Sequence, residues 1–311
     1  MASKPLLTVV FIAGNRRERV QRSLRGLLSQ DIADQIVIML FDRADKPSRD
    51  LPELTSPNVI YQAVDRNTTV GQLQKRGVVT ASSDCVAFIE EHVVVPPGWA
   101  RETLRLHALG YAGVTGIFHS GNSQYSCSRI LFSITYGEYI LSKNAGETAH
   151  VPSHNSSFIR SKLLKFSDDL AMFLSTDILM MRCLIENGEK CYRADLHIKH
   201  WNHNNWLDGW SALRCWSQMY ICNRLTTERW WHGQRLLRMV AVPFIPFVRG
   251  YQNYKQARAN GINVKQFFSD LPSILFLHCG SAIGIASGLL FGYQDCERRF
   301  ADCESNDQRS D

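Results

Sequence analysis

Three consecutive polar residues, Glu90, Glu91 and His92, follow an apolar run in the first third of the chain. The run, residues 85–89, has the composition of a buried strand, and a Pro-Pro-Gly turn follows a few residues later. Side chains alternate along a strand, so we expect Glu90 and His92 to point to one side and Glu91 to the other. A carboxylate and an imidazole at positions i and i+2 can bind one cation. The alternative is a solvated strand end, where polar residues are common.

Polar residues also end the other apolar runs of the N-terminal half. Residues 6–12, 35–42 and 58–65 read as strands, and segments with helical spacing lie between them. This alternation predicts an α/β fold with a Rossmann-like, mixed, mainly parallel sheet flanked by helices. The carboxyl ends of parallel strands lie at one edge of a sheet, where ligands bind. That edge is expected to carry Asn15, Asp42, Asp65, Arg66, Glu90, Glu91 and His92.

The absence of several motifs limits the chemistry. The sequence has no GxGxxG after the first strand, no GxxxxGK[ST] and no GxSxG. This argues against a dinucleotide oxidoreductase, a P-loop enzyme and an α/β-hydrolase. Nine cysteines are scattered without a CxxC pair, which indicates reduced, mostly buried thiols in the cytoplasm.

The C-terminal third is basic and rich in aromatic residues. From Arg214 to Lys265 there are nine Lys or Arg and a single acid, Glu228, although the whole chain carries only +6. Aromatic and aliphatic residues between the basic ones favour a membrane surface over nucleic acid, and a buried helical stripe is the alternative. Residues 272–292 carry no formal charge over 21 positions, which suits either a membrane span or a re-entrant or interfacial helix. We therefore predict a helical, membrane-associating region at 205–298 and a polar tail at 299–311.

Three segments carry a likeness to a known family. TVVFIAGNRRERVQRSLRGLLSQ, QIVIMLFD and GVVTASSDCVAFIEEHVVVPPGW, in this order, resemble the N-terminal half of family 2 glycosyltransferases with the GT-A fold. The resemblance covers roughly residues 6–200 and implies a nucleotide-sugar-binding catalytic domain at 1–204. It implies transfer of a sugar to an acceptor hydroxyl with inversion. In that family a strand-end Asp-x-Asp binds a divalent metal and the donor diphosphate, and Glu90-Glu91-His92 occupies the matching place.

The same resemblance implies roles for residues further along the chain. Asp177 matches the family's general base, and His200 matches a residue near the diphosphate and the metal. A helix cap is the alternative for Asp177. The segment VPSHNSSFIRSKLL resembles the acceptor-side segment, which makes His154 and Asn155 candidate acceptor-side residues.

On the donor side the resemblance implies a further set of contacts. Asp42 stands where the family holds the base or ribose of the nucleotide, although a strand-to-turn cap explains this residue equally well. Lys75 follows Gln74 where the family has Arg-Asn, and it could contact a phosphate. The full donor set is Asn15, Asp42, Arg66, Lys75, Glu90, Glu91 and His92.

The chain departs from the family pattern in the proposed metal motif. Glu90 replaces the first Asp and His92 the third residue. Imidazole suits Mn²⁺ better than Mg²⁺, so the expected cofactor is a divalent metal, Mn or Mg, held by Glu90, His92 and His200. Alternatively His92 meets the diphosphate directly and metal dependence is weak.

The resemblance also implies partners and a location. These are a nucleotide-sugar donor and a glycan or lipid-linked acceptor at the cytoplasmic face of a membrane, in polysaccharide or glycolipid biosynthesis. A noncatalytic binding or scaffold protein and a nucleotidyltransferase are the two competing readings.

Overall fold

The computed structural model describes residues 4–47, 49–141, 144–228 and 232–306. The chain forms two compact units, one of residues 1–119 and 143–200 and one of residues 120–142 and 201–311. Residues 120–142, which lie inside the predicted first domain, thus belong with the C-terminal helices.

The first unit contains a mixed sheet of nine strands. Its order is β3-β2-β1-β4-β8-β6-β9-β5, and β7 pairs with β9. Strands β1 to β4 pair in parallel, whereas β8 runs antiparallel to β4 and β6, and β5 and β7 run antiparallel to β9. The predicted α/β class and mixed sheet are therefore confirmed. The strands are β1 (Leu7–Ala13), β2 (Ile36–Asp42), β3 (Val59–Ala63), β4 (Cys85–Glu90), β5 (Val93–Val94), β6 (Gly113–Ser120), β7 (Gly146–Glu147), β8 (Ser156–Ile159) and β9 (Cys191–His200).

Helices cover this sheet and bury the apolar strands that the sequence indicates. Strand β1 is buried along almost its whole length, as a strand covered on both faces requires. Leu73 of α2 and Leu163 of α5 join Val10, Phe88 and Phe158 in one core. The helices of this unit are α1 (Arg17–Leu28), α2 (Val70–Thr80), α3 (Trp99–Ala108), α5 (Arg160–Leu164), α6 (Leu170–Leu174) and α7 (Asp177–Glu186).

His107 of helix α3 is hydrogen-bonded to strand β8. Its Nδ1 donates to the carbonyl of Tyr111 at 2.8 Å, so its Nε2 accepts from the Ser157 hydroxyl at 2.9 Å. Burial lowers the pKa of His107 to about 4, and the bond to Tyr111 offsets only part of this. His107 is therefore neutral in the folded protein at neutral pH.

Stability is expected to fall on acidification from pH 6.5 to 4 because of His107. In that window the unfolded chain binds a proton at this position and the folded chain does not, so the free energy of unfolding drops by about 3 kcal/mol. The test is urea unfolding of the wild type and His107→Gln at pH 7 and 5. The variant, which has no proton to gain, should lose less stability. Equal losses in both proteins would contradict the assignment.

The second unit consists of helices. They are α4 (Ser126–Leu141), α8 (Trp206–Glu228), α9 (His232–Ala241), α10 (Ile245–Ala259), α11 (Val264–Phe291) and α12 (Cys296–Asn306). Among the described residues one helix, α11, is long and apolar enough to cross a membrane. Of its most apolar stretch of 18 residues, 39% is buried within the protein. Arg229–Trp231, part of the predicted membrane-surface segment, lie outside the described residues.

Candidate functional site

Strand pairing brings the polar strand ends together. Ala13 pairs with Asp42, and Ile12 pairs with Glu90, so β1, β2 and β4 end at one edge of the sheet. On the far side of the sheet, Val93 of β5 pairs with His200, the last residue of β9. His92 lies in the turn immediately before Val93, and its imidazole lies beside that of His200.

Glu90, His92 and His200 form a compact cluster at this edge. The two Nε2 atoms of His92 and His200 lie 3.1 Å apart, and their rings meet edge to face. The Oε2 atom of Glu90 lies 3.3 Å from His92 Nε2 and 3.5 Å from His200 Nε2. Both histidines are buried, whereas the Glu90 side chain is 31% exposed and keeps the cluster open to solvent on one side.

The cluster has the geometry and the donor atoms to hold a metal ion. Ligands bound at about 2.1 Å in tetrahedral or octahedral geometry lie about 3.0–3.4 Å from one another. Two of the three separations, 3.1 and 3.3 Å, fall in this range, and the third, 3.5 Å, lies just above it. Two imidazoles and one carboxylate on one face leave the remaining positions for ligands from solution.

Asn155 fixes the orientation of Glu90. Its Nδ2 donates to Glu90 Oε2 at 2.6 Å, and its Oδ1 accepts from the backbone N–H of Glu90 at 3.0 Å. The residue has φ 54°, a left-handed conformation that Asn and Gly tolerate better than other residues. It lies immediately before β8, which pairs with β4. The structure thus supplies a positioning contact for Asn155, which the sequence placed on the acceptor side.

Glu90 is held as a carboxylate. Burial by itself would raise the pKa of Glu90, but the charges of His154 and His92 and hydrogen bonds from His200 and His92 hold it well below its usual range. His154 is therefore close enough to act on the cluster electrostatically. An ionised carboxylate is the form that a metal binds.

Replacing Asn155 by glycine is expected to lower Mn²⁺ affinity about 10- to 100-fold, because loss of a residue that orients a metal ligand has effects of this size. Glycine adopts the φ of 54° without strain, so the fold should persist. Titration calorimetry with Mn²⁺ measures the effect, and Asn187→Gly, at the end of α7, is the control. Unchanged affinity in Asn155→Gly would show that Glu90 needs no such support.

Glu91 points away from the cluster, as strand alternation predicts. Its Oε2 accepts a short hydrogen bond from the backbone N–H of Gly14, after β1. Its carbonyl accepts from the Ser23 hydroxyl of α1 at 2.7 Å. These contacts tie the loop after β1 and helix α1 to the site. The contact of Glu91 with the donor stays a prediction.

Asp42 combines a turn contact with an ion pair. It is fully buried, accepts from Ala44 N at 3.0 Å and from the Tyr61 hydroxyl at 2.9 Å, and binds Arg17 Nη2 at 2.7 Å. Burial and the Asp42 carboxylate raise the pKa of Tyr61 to about 12, so the phenol stays a donor. Asp42 thus caps the turn after β2, as the strand-to-turn alternative proposed, and it also positions the Arg17 guanidinium.

An open cleft of about 650 Å³ lies beside this ion pair. Asn15 exchanges two hydrogen bonds with Asp45, at 3.0 and 2.8 Å, and Arg66 forms a short ion pair with the same carboxylate. The predicted residues Asn15 and Arg66 therefore meet at one point, although they come from different loops. The residues that line the cleft are Asn15, Arg17, Ala44, Asp45, Lys46, Asp50 and Leu51.

Two predicted residues have less direct links to the cluster. Lys75, on α2, donates to the carbonyl of Asp168 at 3.2 Å. Asp177 is the first residue of α7, and its side chain lies outside the described part of the chain. Ser153 Oγ donates to the carbonyl of Leu174 at 2.6 Å, which brings the backbone shortly before α7 next to the loop that carries Asn155. The role of Asp177 stays a prediction.

Comparison with known proteins does not identify the chain. No protein-family model matches it, and no curated protein matches it. The fold and the cluster are therefore the basis for any functional assignment.

Sequence reasoning missed two contributors to the site. Arg17 carries no motif, and only its position after β1, opposite the end of β2, points to the ion pair with Asp42. The support of Glu90 by Asn155 has one signal in the sequence: Asn tolerates the left-handed backbone conformation found at position 155 better than most residues do.

Proposed function

We propose that this protein is a glycosyltransferase of the GT-A type, similar to family 2, which transfers a sugar from a nucleotide-sugar to an acceptor hydroxyl with inversion. The observation that carries the proposal is the Glu90, His92 and His200 cluster at the carboxyl edge of a parallel strand set. A donor diphosphate needs positive charge at this place, and the cluster offers a metal site there. The parallel half of the sheet is compatible with the GT-A fold.

Each side of the site has a proposed task. Asn15 and Arg17, which line the cleft next to β1 and β2, would hold the nucleoside, and the buried Asp42 would position Arg17 for this contact. A divalent ion held by Glu90, His92 and His200 would neutralise the diphosphate as it leaves. Asn155 keeps the Glu90 carboxylate in place.

Asp177 is the proposed general base. It would accept the proton of the acceptor hydroxyl as that oxygen attacks the anomeric carbon from the side opposite the diphosphate, which inverts the configuration. Its position at the start of α7 favours the ionised form, since a helix N-terminus stabilises negative charge.

We also place the protein at the cytoplasmic face of a membrane, with a glycan or lipid-linked acceptor. The long apolar helix α11 and the basic, aromatic composition of the second unit support this location. Lys75 would contact a phosphate on the donor side.

The direct test is a panel of nucleotide-sugars in thermal shift, with and without Mn²⁺, followed by a transfer assay with the sugars that bind. A ligand that binds the native state but not the unfolded state raises the melting temperature. We expect one class of donor to raise it, and we expect this increase to be larger with Mn²⁺ present. Release of pyrophosphate from a nucleoside triphosphate and a sugar phosphate would instead favour a nucleotidyltransferase. Binding without turnover on any acceptor would favour a noncatalytic binding protein.

A further inference from the structure

Large hydrophobic side chains are exposed along one stretch of the second unit, residues 236–251, which we call the apolar elbow. It runs from α9 through a short 3-10 turn at Val242–Phe244 into α10. Seven of its hydrophobic side chains are more than half exposed. They are Leu236, Leu237, Val240, Phe244, Phe247, Val248 and Tyr251.

The packing of the unit does not use these side chains. Helix α10 buries its other face, which carries Pro246, Gly250, Asn253 and Ala257 at helical spacing. Gly250 faces Leu271 and Leu275 of α11. Asn253 Oδ1 accepts a hydrogen bond from the buried His278 at 2.6 Å. Since this face fixes α10 in the fold, the exposed face is left for a partner outside the chain.

The charge around the apolar elbow indicates the nature of that partner. Residues 229–269 contain seven Lys or Arg and no Asp or Glu. Arg235, Arg249, Lys255 and Arg258 are exposed, and the Lys255 amine lies 5.9 Å from the Tyr251 ring. Aromatic and aliphatic side chains bordered by cations suit the headgroup layer of an anionic bilayer. A second copy of the chain would bring two such basic segments together, which opposes self-association through this surface.

Helix α11 is bound to α8 along one face, which opposes its crossing a bilayer alone. Added Cβ atoms at Gly280 and Gly284 would collide with the main-chain oxygens of Trp210 and Arg214, so α8 and α11 touch closely along this stripe. Helix α8 carries Arg214 and Gln218 in its middle and would have to enter the hydrocarbon together with α11. Near its start, α11 is also tied to α4 by the ion pair of Asp270 and Arg129, at 3.0 Å.

We propose that the apolar elbow inserts into one leaflet of an anionic membrane, and that α11 supports it from the same side without crossing. The protein is then monotopic, with its N-terminal and C-terminal ends on one face of the membrane. This inference rests on the membrane location proposed above, and it does not depend on the sugar-transfer chemistry.

Vesicle flotation of the full chain tests the membrane surface. We expect the protein to float with vesicles of phosphatidylcholine and phosphatidylglycerol and much less with phosphatidylcholine alone. Leu237→Glu and Phe247→Glu should each weaken binding by about tenfold or more, since each removes a hydrophobic group from the lipid. Leu109→Glu, which changes an equally exposed leucine of the first unit, is the matched control and should bind like the wild type.

The outcomes separate the alternatives. No flotation with either vesicle, or equal flotation of the wild type and the two elbow variants, overturns the proposal. A loss of a dimer on size-exclusion chromatography of Leu237→Glu, without lipid binding by the wild type, identifies a second copy as the occupant and overturns it too. Each variant must keep the wild-type melting temperature, which the exposure of both side chains favours.

Topology is tested in bacterial spheroplasts with an epitope tag at either end of the full chain. Protease added outside should leave both tags intact, because both ends lie in the cytoplasm. Removal of the C-terminal tag alone would show that α11 crosses the membrane, and the monotopic proposal would be wrong. All these measurements are independent of sugar transfer, so an inactive protein that still floats would contradict only the proposed reaction.

Discussion

Replacing His200 by alanine is expected to weaken Mn²⁺ binding by about 100-fold or more. His200 Nε2 lies 3.1 Å from His92 Nε2 and 3.5 Å from Glu90 Oε2, so its loss removes one of three donor atoms and opens the buried end of the site. Loss of a residue that only orients a ligand already reduces affinity 10- to 100-fold, and loss of a ligand should exceed that. Mn²⁺ titration followed by calorimetry or electron paramagnetic resonance measures the effect.

His197→Ala is the matched control for this variant. His197 lies on the same strand, β9, but it is exposed and contacts His119 and Asp195 outside the cluster. The control should bind Mn²⁺ like the wild type. If both variants bind equally well, the metal lies elsewhere. If the wild type binds no divalent ion at millimolar concentration, the alternative in which His92 meets the diphosphate directly is favoured.

Asp177→Asn is expected to reduce sugar transfer about 10²- to 10⁴-fold, the usual contribution of a general base. Donor and metal affinity should stay unchanged, because the proposed role concerns the acceptor proton alone. The measurement is single-turnover transfer with a donor found in the thermal shift panel, together with donor binding by calorimetry.

Asp169→Asn supplies the comparison, since Asp169 is an exposed acid at the N-terminus of another helix of this unit, α6. Loss of a negative charge at a helix N-terminus would lower the stability of both variants, whereas loss of the general base would lower transfer only in Asp177→Asn. Wild-type turnover in Asp177→Asn would remove this residue from the mechanism. Loss of donor binding in the same variant would assign it a structural role.

The strands and their shared edge could be predicted from the sequence. Apolar, β-branched runs with helical segments between them indicate parallel strands, and β1, β2, β3 and β4 lie close to the predicted residues. Because parallel strands end at the same edge, the nearness of Asp42 and Glu90 follows from the pattern alone. Strand alternation predicts opposite directions for Glu90 and Glu91, and their partners do differ, although in the structure β4 ends at Glu90 and a turn follows.

The antiparallel half of the sheet could not be predicted in the same way. Strand β8 has four residues and inserts between β4 and β6, and β5 has two, so neither gives a periodic signal. The pairing of Val93 with His200 decides where the second histidine of the cluster lies. Register between segments more than 100 residues apart depends on tertiary packing, which no local pattern contains.

In the second unit the sequence predicts helices but not how they pack. The spacing of apolar residues on α9 and α10 predicts helices, but not which face is buried. In the structure the small residues Gly250 and Ala257 face α11, whereas Leu237 and Phe247 are exposed. Residues 120–142 contain many apolar positions but no distinct apolar face, so the sequence does not show that they belong with these helices.

The most direct test of the account is calorimetric binding of a nucleoside diphosphate, with and without Mn²⁺, to the wild type, His200→Ala and His197→Ala. The account predicts that Mn²⁺ strengthens binding at least about tenfold in the wild type and His197→Ala, and that His200→Ala loses this gain. Nucleotide binding that is the same with and without Mn²⁺ in all three proteins would contradict it.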